Sequence, residues 1–303
     1  MRTGEFLLAA LLVSSSGAAL AQKKGTVEER QGTDPKPDTD VATEAYKKGN
    51  YERAIQQAKL ALSRDEKYVP AMMLLAKSYF AQHKYELSQA IIKEAQGVDK
   101  GNAESHNLSG FIALQKDDRI AATASFKKAT ELDANYAAAW NNLAAQYLFA
   151  KNYDGAVESA EKSTQLAPRF AKGWLNLGSA YRGKQRYEES DKAYKKALEL
   201  DPNYADAYFN LGILYLDATQ MPNQDLVAQW NASINFISRY KQMMGARLGK
   251  DDPSDQYMAD ARKSIEKEQK KQDRERKKRE KEAAKAAQPA APAPAPAGKT
   301  GDK

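Results

Sequence analysis

In the stretch AKGWLNLGSAY, residues 171–181, Trp174, Leu177, Gly178 and Tyr181 fall at i, i+3, i+4 and i+7. That spacing lines four close-packing side chains along one face of an α-helix. Asn176, between two leucines, points off that face. The pattern recurs 34 residues earlier as Trp140, Leu143, Ala144 and Tyr147, and 34 later as Tyr208, Leu211, Gly212 and Tyr215. Met72, Leu75, Ala76 and Tyr79 hold the same register upstream, and His106, Ser109, Gly110 and Ala113 hold it in weaker form. A period in this range marks a small unit that cannot bury its apolar face alone, so neighbouring units must stack.

A second helix follows each first one, with its own close-packing positions: Ser88, Ile92 and Ala95, then Ala122, Phe126 and Ala129. Ala156 and Ala160 continue the series, followed by Ser190, Tyr194 and Ala197. Pro168 and Pro202 close two units, because proline cannot continue a helix. The series resembles the tetratricopeptide repeat family, whose W-x2-L-G-x2-Y, A-x3-F and late-proline pattern is matched at residues 171–204. The resemblance implies an all-α fold, a right-handed superhelix (α-solenoid) of antiparallel helix pairs whose first helices line a concave groove. Such a groove holds a peptide or a partner's segment. Units are expected to start near residues 35, 69, 103, 137, 171 and 205, with the solenoid covering 38–249. That makes about five full repeats and a partial N-terminal one, since Pro35 and Pro37 stand where the first leading helix should begin. In the last unit DATQMPNQ separates the two helices, is expected to project beside the groove, and moves the packing pair to Ala232 and Phe236.

Asn142, Asn176 and Asn210 share one slot, the residue before the core leucine, which at 100° per residue lies beside the core face on the concave side. In the family this resembles, a row of carboxamides there bonds the backbone of an extended peptide, donor and acceptor together. The same side chains also suit bonds to neighbouring helix backbone. The other groove candidates are Asn141, Lys172, Ser179, Arg182, Phe111, Phe149, Phe209 and Leu216. The lysine of the family's carboxylate clamp is missing, because its slot holds Met73, Asn107, Asn141 and Leu175.

A mean hydropathy of −0.74 with 29% charged residues fits an elongated, well-solvated protein better than a compact enzyme. There is no cysteine and there are two histidines, which excludes a thiol nucleophile, disulfides and a multi-histidine metal site. His83 falls in a turn between helices, and His106 takes a tryptophan slot, where a packed ring is expected. Gly298-Lys299-Thr300 echoes a phosphate-binding loop but fails its pattern, since Ala293 stands where glycine is required. Asp117-Asp118 and Asp251-Asp252 read as solvated turns. The expectation is a protein without catalytic residues, metal or cofactor.

The ends differ from the middle. Arg2, the apolar run Phe6 to Val13 and Ala19-Leu20-Ala21 read as a signal peptide over 1–21, cleaved after Ala21, which predicts a periplasmic chain. Without cysteine there is no lipoprotein anchor, and no transmembrane span is expected in the mature chain. Residues 22–37 read as a disordered linker. From Pro253 to Ala287 the chain is a run of helix formers, with Tyr257, Ala261 and Ile265 as a stripe able to dock on the last repeat. Glu266 to Lys270, Asp273 to Lys277 and Glu275 to Arg279 are i, i+4 pairs along it. Residues 262–285 carry twelve Lys/Arg against six Asp/Glu, six of the whole chain's net +7. That charge suits anionic lipid or an acidic protein segment rather than nucleic acid in a periplasm, and equally suits a solvated spacer helix. Residues 288–303 read as a Pro/Ala-rich disordered tail.

The function these features imply is a non-enzymatic periplasmic scaffold that binds a protein or peptide segment in its groove, within a motility, pilus or secretion assembly of the cell envelope. The layout is similar to that of the periplasmic tetratricopeptide proteins of myxobacterial gliding motility. The alternative is a chaperone-like adaptor for extended segments of unfolded clients.

Overall fold

The computed structural model describes residues 34–219, 221 and 224–286. The expected signal peptide, most of the linker and the Pro/Ala-rich tail lie outside these residues. The described residues are helices joined by short turns, and they form two compact units, the first closing at Asp201 and the second opening at Pro202. The single solenoid expected over 38–249 spans both.

Five helix pairs make the first unit: α1 Lys36–Lys47 with α2 Tyr51–Arg64, α3 Val69–Ala81 with α4 Tyr85–Val98, and α5 Ala103–Gln115 with α6 Arg119–Leu132. α7 Ala137–Phe149 with α8 Tyr153–Leu166, then α9 Ala171–Gly183 with α10 Tyr187–Leu200, complete it. The leading helix expected to be incomplete is present: α1 has 12 residues against 13 in α3. Pro35 is its N-cap and Pro37 lies in its first turn, where a missing N–H costs nothing and the fixed φ suits the helix.

Inside each pair the turn is built the same way. Gly49, His83, Asp117, Lys151 and Gln185 all take a left-handed φ, and they recur every 34 residues. That conformation lets the next residue reach back: Lys84 N–H donates to Tyr79 O at 2.9 Å, and Arg186 N–H to Tyr181 O at 2.9 Å. These bonds satisfy carbonyls that the helix end leaves open. Asn50, Asp118 and Asn152 then cap the second helix through their side-chain oxygens.

Packing within a pair rests on a small residue at the crossing. A Cβ on Gly110 would stand 2.6 Å from the Phe126 ring, and one on Gly178 would stand 2.5 Å from Tyr194. Ser88 Oγ donates to Ala76 O at 2.8 Å, and Ser190 Oγ to Gly178 O at 2.7 Å, so the close approach also bonds the helices. Between pairs the tryptophans serve as locks, Trp140 Nε1 donating to Ala134 O and Trp174 Nε1 to Pro168 O, both at 2.9 Å.

The second unit holds α11 Ala205–Asp217, α12 Leu226–Met244, a 3-10 turn Gly245–Arg247, and α13 Ser254–Ala286. Two expectations are corrected here. The packing pair is Ser233 and Ile237, not Ala232 and Phe236: Ser233 Oγ donates to Gly212 O at 2.7 Å, and Ile237 covers Gly212. Phe236 instead meets the Tyr215 ring edge-on at 5.4 Å. The described part of the insertion also folds back rather than projecting, since Ala218 and Met221 are buried. Buried Gln229 holds it, accepting from Met221 N–H at 2.7 Å and donating to Tyr215 O and Ala218 O at 3.0 and 2.6 Å. Gln220, Pro222 and Asn223 of that segment lie outside the described residues.

α13 docks on α12 by its first turns. Ser254, Met258 and Ala261 are its buried residues, while Tyr257 and Ile265 are half-buried, so the stripe is shifted from the expected Tyr257, Ala261 and Ile265. Tyr240 Oη donates to Asp252 at 2.9 Å at the entry to the helix. From Gln269 to Ala286 every residue is exposed. The expected Glu266–Lys270 pair forms, while Arg276 bridges Asp273 at 2.7 Å and Glu280 at 3.7 Å.

Candidate functional site

In the first unit α1 touches α3, α3 touches α5, and α7 touches α9, whereas the second helices of successive pairs stand further apart. The unit therefore curves with its first helices on the inner side. α7 shows how residues sort across that side: Ala139, Asn141, Leu143, Ala144 and Gln146 are buried. Ala138, Asn142, Ala145 and Phe149, at i, i+4, i+7 and i+11, form the open face, and Phe149 is 63% exposed.

The asparagines occupy this inner side in pairs. Asn142 Nδ2 donates to Asn107 Oδ1 at 2.9 Å, and Asn176 Nδ2 donates to Asn141 Oδ1 at 2.8 Å. Each bond joins the first helices of adjacent pairs. Asn141 and Asn176 are 2% and 8% exposed, so their carboxamides are part of the packing between repeats. Asn107 passes the chain on, donating to Tyr136 Oη at 3.4 Å. Burial, with Glu104 and Asp133 nearby, pushes the Tyr136 phenol up to about 12, so it stays a neutral donor and acceptor. In the second unit Asn210 turns back on its own helix, donating to Asp206 O at 2.9 Å.

The other candidates divide. Lys172 is exposed and Arg182 half-buried, while Ser179 Oγ donates to Leu175 O at 3.0 Å and accepts from Tyr194 Oη at 3.1 Å. Phe111 lies half-buried between Phe80, centroids 6.2 Å apart, and Phe126 at 5.3 Å. Phe149 is roofed by the Arg119 guanidinium, 3.6 Å from the ring centroid. Phe209, in the second unit, packs on Tyr240 at 4.9 Å and on Tyr257 of α13 at 6.0 Å, and Leu216 is half-buried. The core residues Leu143, Leu177, Gly178, Leu211, Gly212 and Tyr215 are buried, while Trp140, Tyr147, Trp174, Tyr181 and Tyr208 are half-buried.

Sequence reading missed one row. Phe80, Leu114 and Leu148 stand 34 residues apart in the slot that Arg182 fills in the fifth pair, and all three are half-buried. The same period that locates the core would have found them. They set apolar surface beside Phe111 and Phe149. The Lys77–Glu104 ion pair, 2.7 Å between α3 and α5, bounds it toward the N-terminus.

His83 Nδ1 pairs with Tyr85 Oη at 2.8 Å in its turn. Among the described residues no three His, Asp or Glu side chains converge to hold a metal ion, and no helix is long and apolar enough to cross a membrane.

Family models described as tetratricopeptide repeat match residues 45–110, 103–136 and 125–158, and one described as TPR repeat matches 178–218. Among solved structures, the APC/C hetero-tetramer Cut9–Hcn1 is similar with a TM-score of 0.63 at 15% identity, covering 77% of this chain and 44% of that one. Pseudomonas aeruginosa PilF gives 0.59 at 17% identity over 69% of this chain and 91% of its own. PilW, described as a widely conserved type IV pilus biogenesis factor, gives 0.58 at 17% identity over 71% and 95%. At these identities the likeness is one of fold. No curated protein sequence matches the chain.

Proposed function

The chain belongs to the tetratricopeptide repeat family, and from that premise we propose that it is a non-enzymatic scaffold whose first unit holds a partner protein's segment on its inner side. The observation that carries this reading is the open face of α7, where Phe149 is exposed beside half-buried Leu114, Leu148 and Phe111. A large aromatic left on the inner side of a curved unit is surface that a partner can bury, and such anchors carry most of the affinity of an interface. Recognition is by side-chain contact rather than by a ladder of amides, because Asn107, Asn141, Asn142 and Asn176 are engaged with one another. That favours a defined partner over the chaperone-like alternative.

The setting we propose is a cell-envelope assembly in the periplasm. The signal-like N-terminal sequence supports it, and the fold likeness to PilF and PilW is consistent with it. The test is cross-linking and co-purification from native cells with Phe149→Ser beside the parent protein. Phe149 is mostly solvated, so the variant should keep its helicity while partner recovery falls about tenfold or more. Unchanged recovery would remove this face from the binding surface.

A further inference from the structure

The exposed part of α13 is sorted by charge around its axis. Counting 100° per residue, Lys263, Lys267, Arg274, Lys281 and Lys285 fall within about 40° of one another. Lys270, Lys271, Lys277 and Lys278 flank them, widening the basic sector to about 120°. From Lys263 onward no acid lies inside it; Asp260, one turn earlier, stands at its N-terminal end. Glu266, Asp273 and Glu280 run along one border and Glu268, Glu275 and Glu282 along the other, each row spaced by seven.

The ion pairs respect this division. Lys271 pairs with Glu268 at 3.7 Å and Lys278 with Glu282 at 3.9 Å, and Lys270 pairs with Glu266, so three of the four flanking lysines meet border acids. Among the described residues the five midline cations have no ion-pair partner. The docked side of the helix, marked by Ser254, Met258 and Ala261, lies about 170° round from that midline. α13 is therefore fastened to α12 by one side of its first turns, and the lysine face, about 33 Å long, points away from that contact.

We propose that this lysine face rests on a bilayer surface rich in anionic phospholipid, as a peripheral electrostatic contact without insertion. A straight face meets a plane along its whole length at once. Its cations are eight lysines and one arginine, compact hydrated charges suited to a diffuse layer of phosphates rather than to bidentate reading of bases. It carries no aromatic side chain to stack on bases and no apolar one to enter the acyl layer. This contact is independent of what the inner side of the first unit holds.

The test is co-sedimentation of the full chain with vesicles of phosphatidylcholine containing about one third phosphatidylglycerol. Two triple variants remove the same charge: Lys263→Gln, Lys267→Gln and Lys281→Gln from the face, or Arg262→Gln, Arg276→Gln and Arg279→Gln from outside it. Glutamine keeps helix propensity, which circular dichroism checks. The face variant should partition about a hundredfold less, and the other should stay near the parent. High salt should release the parent protein. Equal losses in both variants, or binding that survives high salt, would overturn the proposal. So would vesicles left unbound while a DNA duplex or polyglutamate is captured.

Discussion

Each of the first unit's pairs turns on a single left-handed residue, and only the first of the five is glycine. For a residue with a Cβ that conformation costs about 1–2 kcal/mol, offset in part by glycine's extra freedom when unfolded. Gln185→Gly should therefore stabilise the first unit by about 0.5–1 kcal/mol in urea denaturation; a lowered midpoint would mean that the side chain contributes more than its strain. His106 illustrates a second residue-scale effect. Burial, and then Lys128 nearby, hold its imidazole below the ordinary value of 6.5. The unfolded chain thus binds more protons below that pH, and folding stability falls as the pH drops through and below it. The loss of melting temperature between pH 7 and pH 5 should be smaller in His106→Phe, with carboxylates titrating alike in both. An equal loss would show that His106 is as easily protonated folded as unfolded.

At the scale of elements, the second unit departs from the repeat because α11 and α12 are separated by an insertion, and Gln229 compensates by bonding three backbone groups. Replacing it with alanine leaves buried donors and acceptors unpaired, so Gln229→Ala should cost about 3 kcal/mol of the second unit's stability. A cost within the scatter of surface substitutions would contradict that role. Period and spacing alone locate the helix pairs, because Trp174, Leu177, Gly178 and Tyr181 repeat at a fixed interval and their packing is local. What lay beyond that reading depends on register across the insertion. One residue of slack moves the contact on Gly212 from Phe236 to Ile237, and sequence spacing cannot measure how far a folded-back segment reaches. The asparagines were legible as a row on the inner side, but not as partners. Asn107 and Asn142 stand 35 residues apart, one more than the repeat, so the bond crosses from one slot to the next. The prolines at the start of α1 misled for a simpler reason: they break helices from within yet begin them readily.

At the scale of the molecule, family membership supplies the architecture, and the proposed function rests on the face left open by its packing. In the first unit that face is apolar around Phe111, Leu114, Leu148 and Phe149, and polar around Lys172 and Arg182 in the fifth pair. In the second unit the equivalent aromatic, Phe209, is already met by Tyr240 and by Tyr257 of α13. The proposed partner segment is therefore assigned to the first unit. The most direct measurement puts a photo-crosslinking amino acid at Ala145, on the open face of α7, and separately at Val98, the exposed end of second helix α4. Irradiation in native cells should give one discrete adduct from position 145 and none from 98. Adducts of similar yield at both positions, or a co-purifying partner that never crosslinks from 145, would contradict the account.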